Sequence, residues 1–308
     1  MTDGFTPQGI YPILYSFFDR NGALDRDAWR HQIEAVIETG APGIAILGLI
    51  TEVSTLTPEE RRQLVEWAVE DITGRVPLIA TIAGRDVAET QSLAHDAEAA
   101  GASALILQPP LGARPSEDEL SSFYSSVMSK ISIPIGIQNA PEYLGVGLSP
   151  EAILTLARRH KQFRIMKGEG PVSVVKNYID ALSPDIAIFN GRGGLELPDN
   201  LRAGCKGLVP APDCADYQIA IYDALKRGDD AEADHLYQII LPYIVFAMQS
   251  LDIAIAYGKR MFAARVGIEN DCRCRITQGA ADPFLLATMQ RWSASFGPYG
   301  RVEQDRHS

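Results

Sequence analysis

The stretch FRIMKGEG, Phe163 to Gly170, is a short apolar run that ends in a lysine, with a glutamate two residues on. Period-two alternation places Phe163, Ile165 and Lys167 on one face of a strand, and Arg164 and Met166 on the other. A helical pattern follows from about Pro171 to Leu182. Before the stretch comes another such unit, PIGIQNA (134–140) and a helix opening at Ser149-Pro-Glu.

The same unit, an apolar run, a loop and an amphipathic helix, recurs along the chain. GIYPILYSF (9–17) leads to a helix opening at Asp25, on which Trp29, Ile33, Val36 and Ile37 form a stripe at helical spacing, with Gly40 after its end. GIAILGL (43–49) leads to a helix with Thr57 as N-cap, Pro58 at its first position and Glu60 completing a capping box. PLIATIAG (77–84) precedes a helix from Asp86 to Ala100 closed by Gly101. ALILQPP (104–110) precedes one opening with the capping box Ser116 to Glu119. IAIFNGR (186–192) precedes a short helix ending at Gly204, and GLVPA (207–211) one ending near Gly228.

Eight such units, with runs apolar throughout as in parallel strands buried on both faces, predict a (β/α)8 barrel over residues 1–228. A doubly wound open sheet is the rival, but it would want a glycine-rich phosphate loop after the first strand, and none is present. Residues 229–308 carry no strand signal and are expected to form a C-terminal helical extension of about three helices packed on the barrel. The most apolar stretch, Leu236 to Ala256, contains Gln238, Pro242, Gln249 and Asp252, which fits a buried core helix rather than a membrane span.

Composition narrows the function classes. The 308 residues are 46% hydrophobic, enough for a large core, and the net charge of −11 comes without a basic stripe, which argues against nucleic acid. The four cysteines are expected to be reduced thiols, since Cys272 and Cys274 lack the spacing and partners of a zinc site. With no phosphate loop or metal cluster, no cofactor is expected. With no basic-then-apolar leader in MTDGFTPQG, a cytoplasmic location is expected.

In a (β/α)8 barrel the chemistry sits at the C-terminal ends of the strands. The polar groups there are Ser16, Thr51-Glu52, Gln138-Asn139, Lys167-Glu169 and Asn190-Gly191-Arg192. Lys167 is thereby expected to point into the barrel mouth. Burial disfavours an ammonium ion, and a neutral amine can add to a ketone and form a Schiff base that acts as an electron sink. The alternative is a lysine that reaches solvent or simply pairs with Glu169.

The chain resembles the dihydrodipicolinate synthase / N-acetylneuraminate lyase family of Schiff-base barrels over nearly its whole length. The resemblance is carried by GIYPILYSFFDRNGALD, LGLITEVSTLTPEER, IGIQNAPEYLGVGLSPE, FRIMKGEG, GCKGLVPAP and GKRMFAARVGI. It implies that Lys167 forms an imine with pyruvate or another 2-oxo acid. It also implies a homo-oligomer, the family's common tetramer being a dimer of dimers.

The departures matter as much as the match. Where the family has Gly-Thr-Thr-Gly-Glu or Gly-Ser-Thr-Gly-Glu, this chain has Gly48-Leu49-Ile50-Thr51-Glu52, so Thr51 is left to supply a hydroxyl. The family's proton-transferring tyrosine after strand five is Gln138, which cannot act as a general acid. The synthase's second tyrosine falls on Leu111, and its aldehyde-binding arginine falls near Glu142-Tyr143. These changes argue against dihydrodipicolinate synthesis. LITE, QNAP and the glutamate after the lysine are similar to 2-keto-3-deoxy-L-arabonate dehydratases, in which the strand-five tyrosine is likewise a glutamine.

By that similarity Lys167 forms the imine and Glu169 is the candidate base, or else a plain ion-pair partner. Gln138 and Asn139 would orient substrate, unless Asn139 satisfies loop backbone. Arg192 would clamp a carboxylate, or face solvent, and Gly191 would permit close approach to ligand. Ser16 and Thr51 complete the candidate binding set, while Glu52 is expected to hold its loop by accepting backbone N–H bonds. The expected activity is a Schiff-base lyase, by preference a 2-keto-3-deoxy sugar acid dehydratase. The alternatives are a pyruvate-releasing aldolase, a 4-hydroxy-tetrahydrodipicolinate synthase, and a degenerate barrel that binds 2-oxo acids without turnover.

Overall fold

A computed structural model describes residues 7–277 and 281–302. Eight parallel strands follow one another around a barrel: β1 (Gly9–Ile10), β2 (Ile44–Ile46), β3 (Leu78–Ile82), β4 (Ala104–Leu107), β5 (Ile135–Asn139), β6 (Phe163–Gly168), β7 (Ala187–Asn190) and β8 (Gly207–Leu208). Strand β1 pairs with β8, and a parallel bridge between Ile13 and Ala45 joins the first strand segment to β2, closing the ring. Tyr11, Ile13, Ala45, Ile79, Ala104, Ile106, Ile165, Ala187 and Phe189 fill its interior. A second, larger core lies between the strands and the helices.

The strands are shorter than the apolar runs that announce them. Leu47 turns left-handed at φ 63°, which ends β2, and Pro12 and Pro210 have no amide to donate beyond β1 and β8. The remaining apolar residues of each run enter the loops that form the barrel mouth.

Helices α1 (Arg26–Glu38), α2 (Pro58–Ile72), α3 (Val87–Ala100), α4 (Glu117–Met128), α5 (Pro141–Leu144), α6 (Pro150–Arg159), α7 (Val172–Leu182), α8 (Leu197–Ala203) and α9 (Ala215–Arg227) surround the barrel. Asp25, Thr57, Asp86, Ser116 and Ser149 each cap a helix by accepting a backbone N–H, and Thr57 and Ser116 close full capping boxes. Each such cap contributes about 1 kcal/mol. The one-turn α5 has no counterpart in the expected elements.

Three helices follow: α10 (Asp230–Ala247), α11 (Leu251–Val266) and α12 (Pro283–Ser293). The apolar stretch 236–256 is therefore not one helix. It breaks at Met248–Ser250, where the Ser250 hydroxyl caps α11 by accepting the Ile253 N–H. Among the described residues no helix is long and apolar enough to cross a membrane.

Strand β6 also departs from simple alternation. Its pairing with β5 slips between Phe163 and Ile165, which makes Arg164 an extra, exposed residue. Phe163 consequently packs in the outer core with Met166, while Ile165 faces the barrel interior. The expected alternation holds only from Ile165 onward, and that part places Lys167.

Candidate active site

Lys167 stands beside Gln138 in the β5–β6 register, at the C-terminal end of the barrel. The backbone stays extended for one more bond, Glu169 N–H to Asn139 O at 3.0 Å, so Glu169 returns to the same side as Lys167. Lys167 Nζ lies 3.3 Å from Glu169 Oε1, with side chains only 9% and 7% exposed. The other carboxylate oxygen accepts from Gln138 Nε2 at 2.5 Å, and Gln138 Oε1 accepts from Gln108 Nε2 at 2.7 Å. An ionised carboxylate only accepts, so it fixes the direction of this amide chain from Gln108 to Gln138 to Glu169.

Gly191, after β7, makes room for the pair. A Cβ there would lie 2.0 Å from Glu169 Oε1, so the backbone gives way to the carboxylate. The next residue, Arg192, is held left-handed at φ 52°, an unfavourable conformation for a residue with a Cβ. Its Nη1 meets Glu196 Oε2 at 3.2 Å, and its Nε is buried without a hydrogen-bond partner among the described residues.

Lys167, Glu169 and Arg192 line one cavity of about 270 Å³ with Tyr143, Asp213 and Tyr243. Its remaining wall is mostly apolar and includes Leu49, Ile50, Val209, Ile244 and Met248. Burial pushes the Tyr143 hydroxyl above its usual range, partly offset by the nearby Arg192 guanidinium.

The other expected site residues serve the frame. The Ser16 hydroxyl donates to Thr51 O and the Thr51 hydroxyl to Leu14 O, both at 2.7 Å, and both residues are fully buried. Neither borders the cavity. Asn139 bonds both backbone groups of Leu148, at 2.8 and 3.0 Å, and so ties down the loop after α5. Glu52 accepts the N–H groups of Arg275 at 2.7 Å and Ile276 at 3.0 Å, and an ammonium proton of the fully buried Lys259 at 2.6 Å. It holds its loop, as its position implies.

Three functional-site residues escape the sequence reading. Gln108 ends the run ALILQ just as Gln138 ends its own, a signal open to view. Asp213 and Tyr243 meet only through the fold and gave no local signal. The four cysteines are free, and among the described residues no group of acidic, histidine or cysteine side chains could hold a metal ion.

A lysine and a carboxylate thus stand buried side by side at the mouth of a (β/α)8 barrel. The model of the Dihydrodipicolinate synthetase family matches residues 6–275, and the chain belongs to that family, whose members are lyases. A 4-hydroxy-tetrahydrodipicolinate synthase of Methanopyrus kandleri is 28% identical over 78% of this chain and 81% of its own length. The enzyme of that name from Bartonella henselae is 31% identical over 70% and 78%. Among solved structures, the 4-hydroxy-tetrahydrodipicolinate synthase of Methylacidiphilum fumariolicum superposes with a TM-score of 0.86 at 26% identity, covering 94% of this chain and 95% of its own. A prophage protein of the same family from E. coli K12, solved in complex with pyruvate, superposes at 0.87 with 22% identity, covering 93% and 97%.

Proposed function

We propose that this lyase dehydrates a 2-keto-3-deoxy sugar acid through an imine on Lys167. The observation that carries the reading is the Glu169 carboxylate 3.3 Å from Lys167 Nζ, backed by Gln138 rather than by a tyrosine. The amine adds to the C2 carbonyl and water leaves, giving a protonated imine. That imine acidifies C3, and Glu169 takes a C3 proton. The resulting enamine expels the C4 hydroxyl as water, and hydrolysis of the conjugated imine frees Lys167.

Arg192 binds the substrate carboxylate. Its buried, unpartnered Nε is a donor that an anion in the cavity would satisfy, and a planar guanidinium suits a carboxylate. Gln138 holds Glu169 in place and cannot itself relay a proton.

A second reading, 4-hydroxy-tetrahydrodipicolinate synthesis, is favoured by the names of the 28–31% identical relatives. Product analysis separates the two. With 2-keto-3-deoxy-L-arabonate, the dehydratase reading expects a dehydrated acid and no free pyruvate; free pyruvate would mean aldol cleavage. Condensation of pyruvate with an amino aldehyde, and no dehydration, would establish the synthase instead.

Gly191→Ala tests the geometry. Its new Cβ collides with Glu169 Oε1 and pushes the carboxylate away from the imine. A displacement of this size is expected to lower kcat about 100-fold with the fold intact. Steady-state kinetics beside a circular dichroism melt check this, and unchanged kcat would separate Glu169 from the reaction.

A further inference from the structure

Elimination needs an acid as well as a base, because hydroxide is a poor leaving group. Five acidic residues are buried among the described ones: Glu52, Asp71, Glu169, Asp213 and Asp216. Four of them face a cation. Glu52 meets Lys259, Asp71 meets Arg26, Glu169 meets Lys167, and Asp216 meets Arg265. Among the described residues Asp213 forms no ion pair. The nearby guanidinium of Arg265 bonds the Asp216 carboxylate and only the backbone carbonyl of Asp213.

The Asp213 carboxyl instead accepts the Tyr243 hydroxyl at 2.6 Å and the Cys214 N–H at 3.2 Å. Gly258 on α11 leaves the space in which Tyr15 and Asp213 approach each other, since a Cβ there would lie 2.2 Å from the Tyr15 hydroxyl and 2.9 Å from Asp213 Oδ2. Asp213 and Tyr243 line the cavity that Lys167 and Glu169 line. Burial of a carboxyl without an ion-pair partner disfavours its charged form, against the two hydrogen bonds it accepts.

We propose that Asp213 is the general acid of this site, giving its proton to the departing C4 hydroxyl while Tyr243 holds the carboxyl. The proposal rests on the dehydration reading above. Burial raises the Asp213 carboxyl above its ordinary value, partly offset by the bonds from Tyr243 and Cys214 and by the Arg265 guanidinium. In the step, the C3–H bond breaks toward Glu169 and the C4–O bond breaks as Asp213 protonates the oxygen. A C3–C4 double bond forms and water is released. Glu169 ends protonated and Asp213 ionised, and solvent exchange of one proton from the first to the second restores the site. No redox change occurs.

Two assays on the intact enzyme separate acid from base. Solvent deuterium exchange at C3 of pyruvate reports imine formation and the base. Dehydration of 2-keto-3-deoxy-L-arabonate needs the acid as well. Asp213→Asn is expected to exchange pyruvate protons within about threefold of wild type while dehydration falls roughly 10²–10⁴-fold. Tyr243→Phe, a milder change, is expected to slow dehydration about tenfold and leave exchange in place. Dehydration kept within about threefold in Asp213→Asn overturns the assignment alone. If Asp213→Asn fails to fold, Tyr243→Phe decides, and an equal fall in both of its assays means a merely structural contact and overturns it too. A wild-type enzyme that exchanges pyruvate protons but dehydrates nothing overturns the dehydration reading, and the role of Asp213 with it.

Discussion

Glu169→Gln is expected to slow exchange of the pyruvate methyl protons with deuterated water by roughly 10²–10⁴-fold, the usual contribution of a positioned base. The substitution keeps the size of the side chain and removes only its basicity. Its amide oxygen can still accept from Gln138, so the chain from Gln108 survives. Lys167 is untouched, so imine trapped by borohydride at equilibrium is expected to remain. Loss of exchange with retention of the imine is the signature of a missing base. If exchange stays within about threefold, Glu169 is only the ion-pair partner of Lys167.

Lys259→Met is expected to cost about 3–5 kcal/mol of stability, because it leaves a fully buried carboxylate without its cation. Glu52 keeps the Arg275 and Ile276 N–H bonds but loses the ammonium at 2.6 Å. A drop of this size would lower Tm by on the order of 5–10 °C in a chain this long. Glu52 lies left-handed at φ 58° in the loop that brings Leu49 and Ile50 to the cavity, so activity is expected to fall alongside stability. Adding Glu52→Gln should recover part of the loss, because the remaining group is then neutral. Thermal melts of the two single variants and the double variant check this. A Tm unchanged within about a degree in Lys259→Met would mean that the pair does not hold the loop.

The barrel was legible because its signals are local. Thr57 and Glu60 bond each other across one helical turn, and Ser116 and Glu119 do the same, so spacing alone locates those helix starts. The eight apolar runs likewise follow from strands buried on both faces. Strand ends were less legible, because they depend on left-handed Leu47 and on where prolines meet the ladder.

In the site, Lys167 and Glu169 could be placed together because two residues on one strand share a face. Phe163 could not, because the slip at Arg164 depends on the partner strand. Ser16 and Thr51 looked like free hydroxyls at strand ends, yet their protons go to the carbonyls of Thr51 and Leu14 in the adjoining unit. Asp213 and Tyr243 are 30 residues apart and come from a turn after β8 and from α10, so only the closed fold brings them to one cavity. That the Arg265 guanidinium bonds the Asp216 carboxylate and not that of Asp213 is likewise a property of three-dimensional packing.

The proposed chemistry turns on an imine on Lys167. Incubation with pyruvate, reduction with borohydride and mass spectrometry of the digested protein test it most directly. A reduced pyruvate adduct is expected on the peptide that carries Lys167, and none in Lys167→Ala. No adduct on that peptide with pyruvate or with 2-keto-3-deoxy-L-arabonate would contradict it.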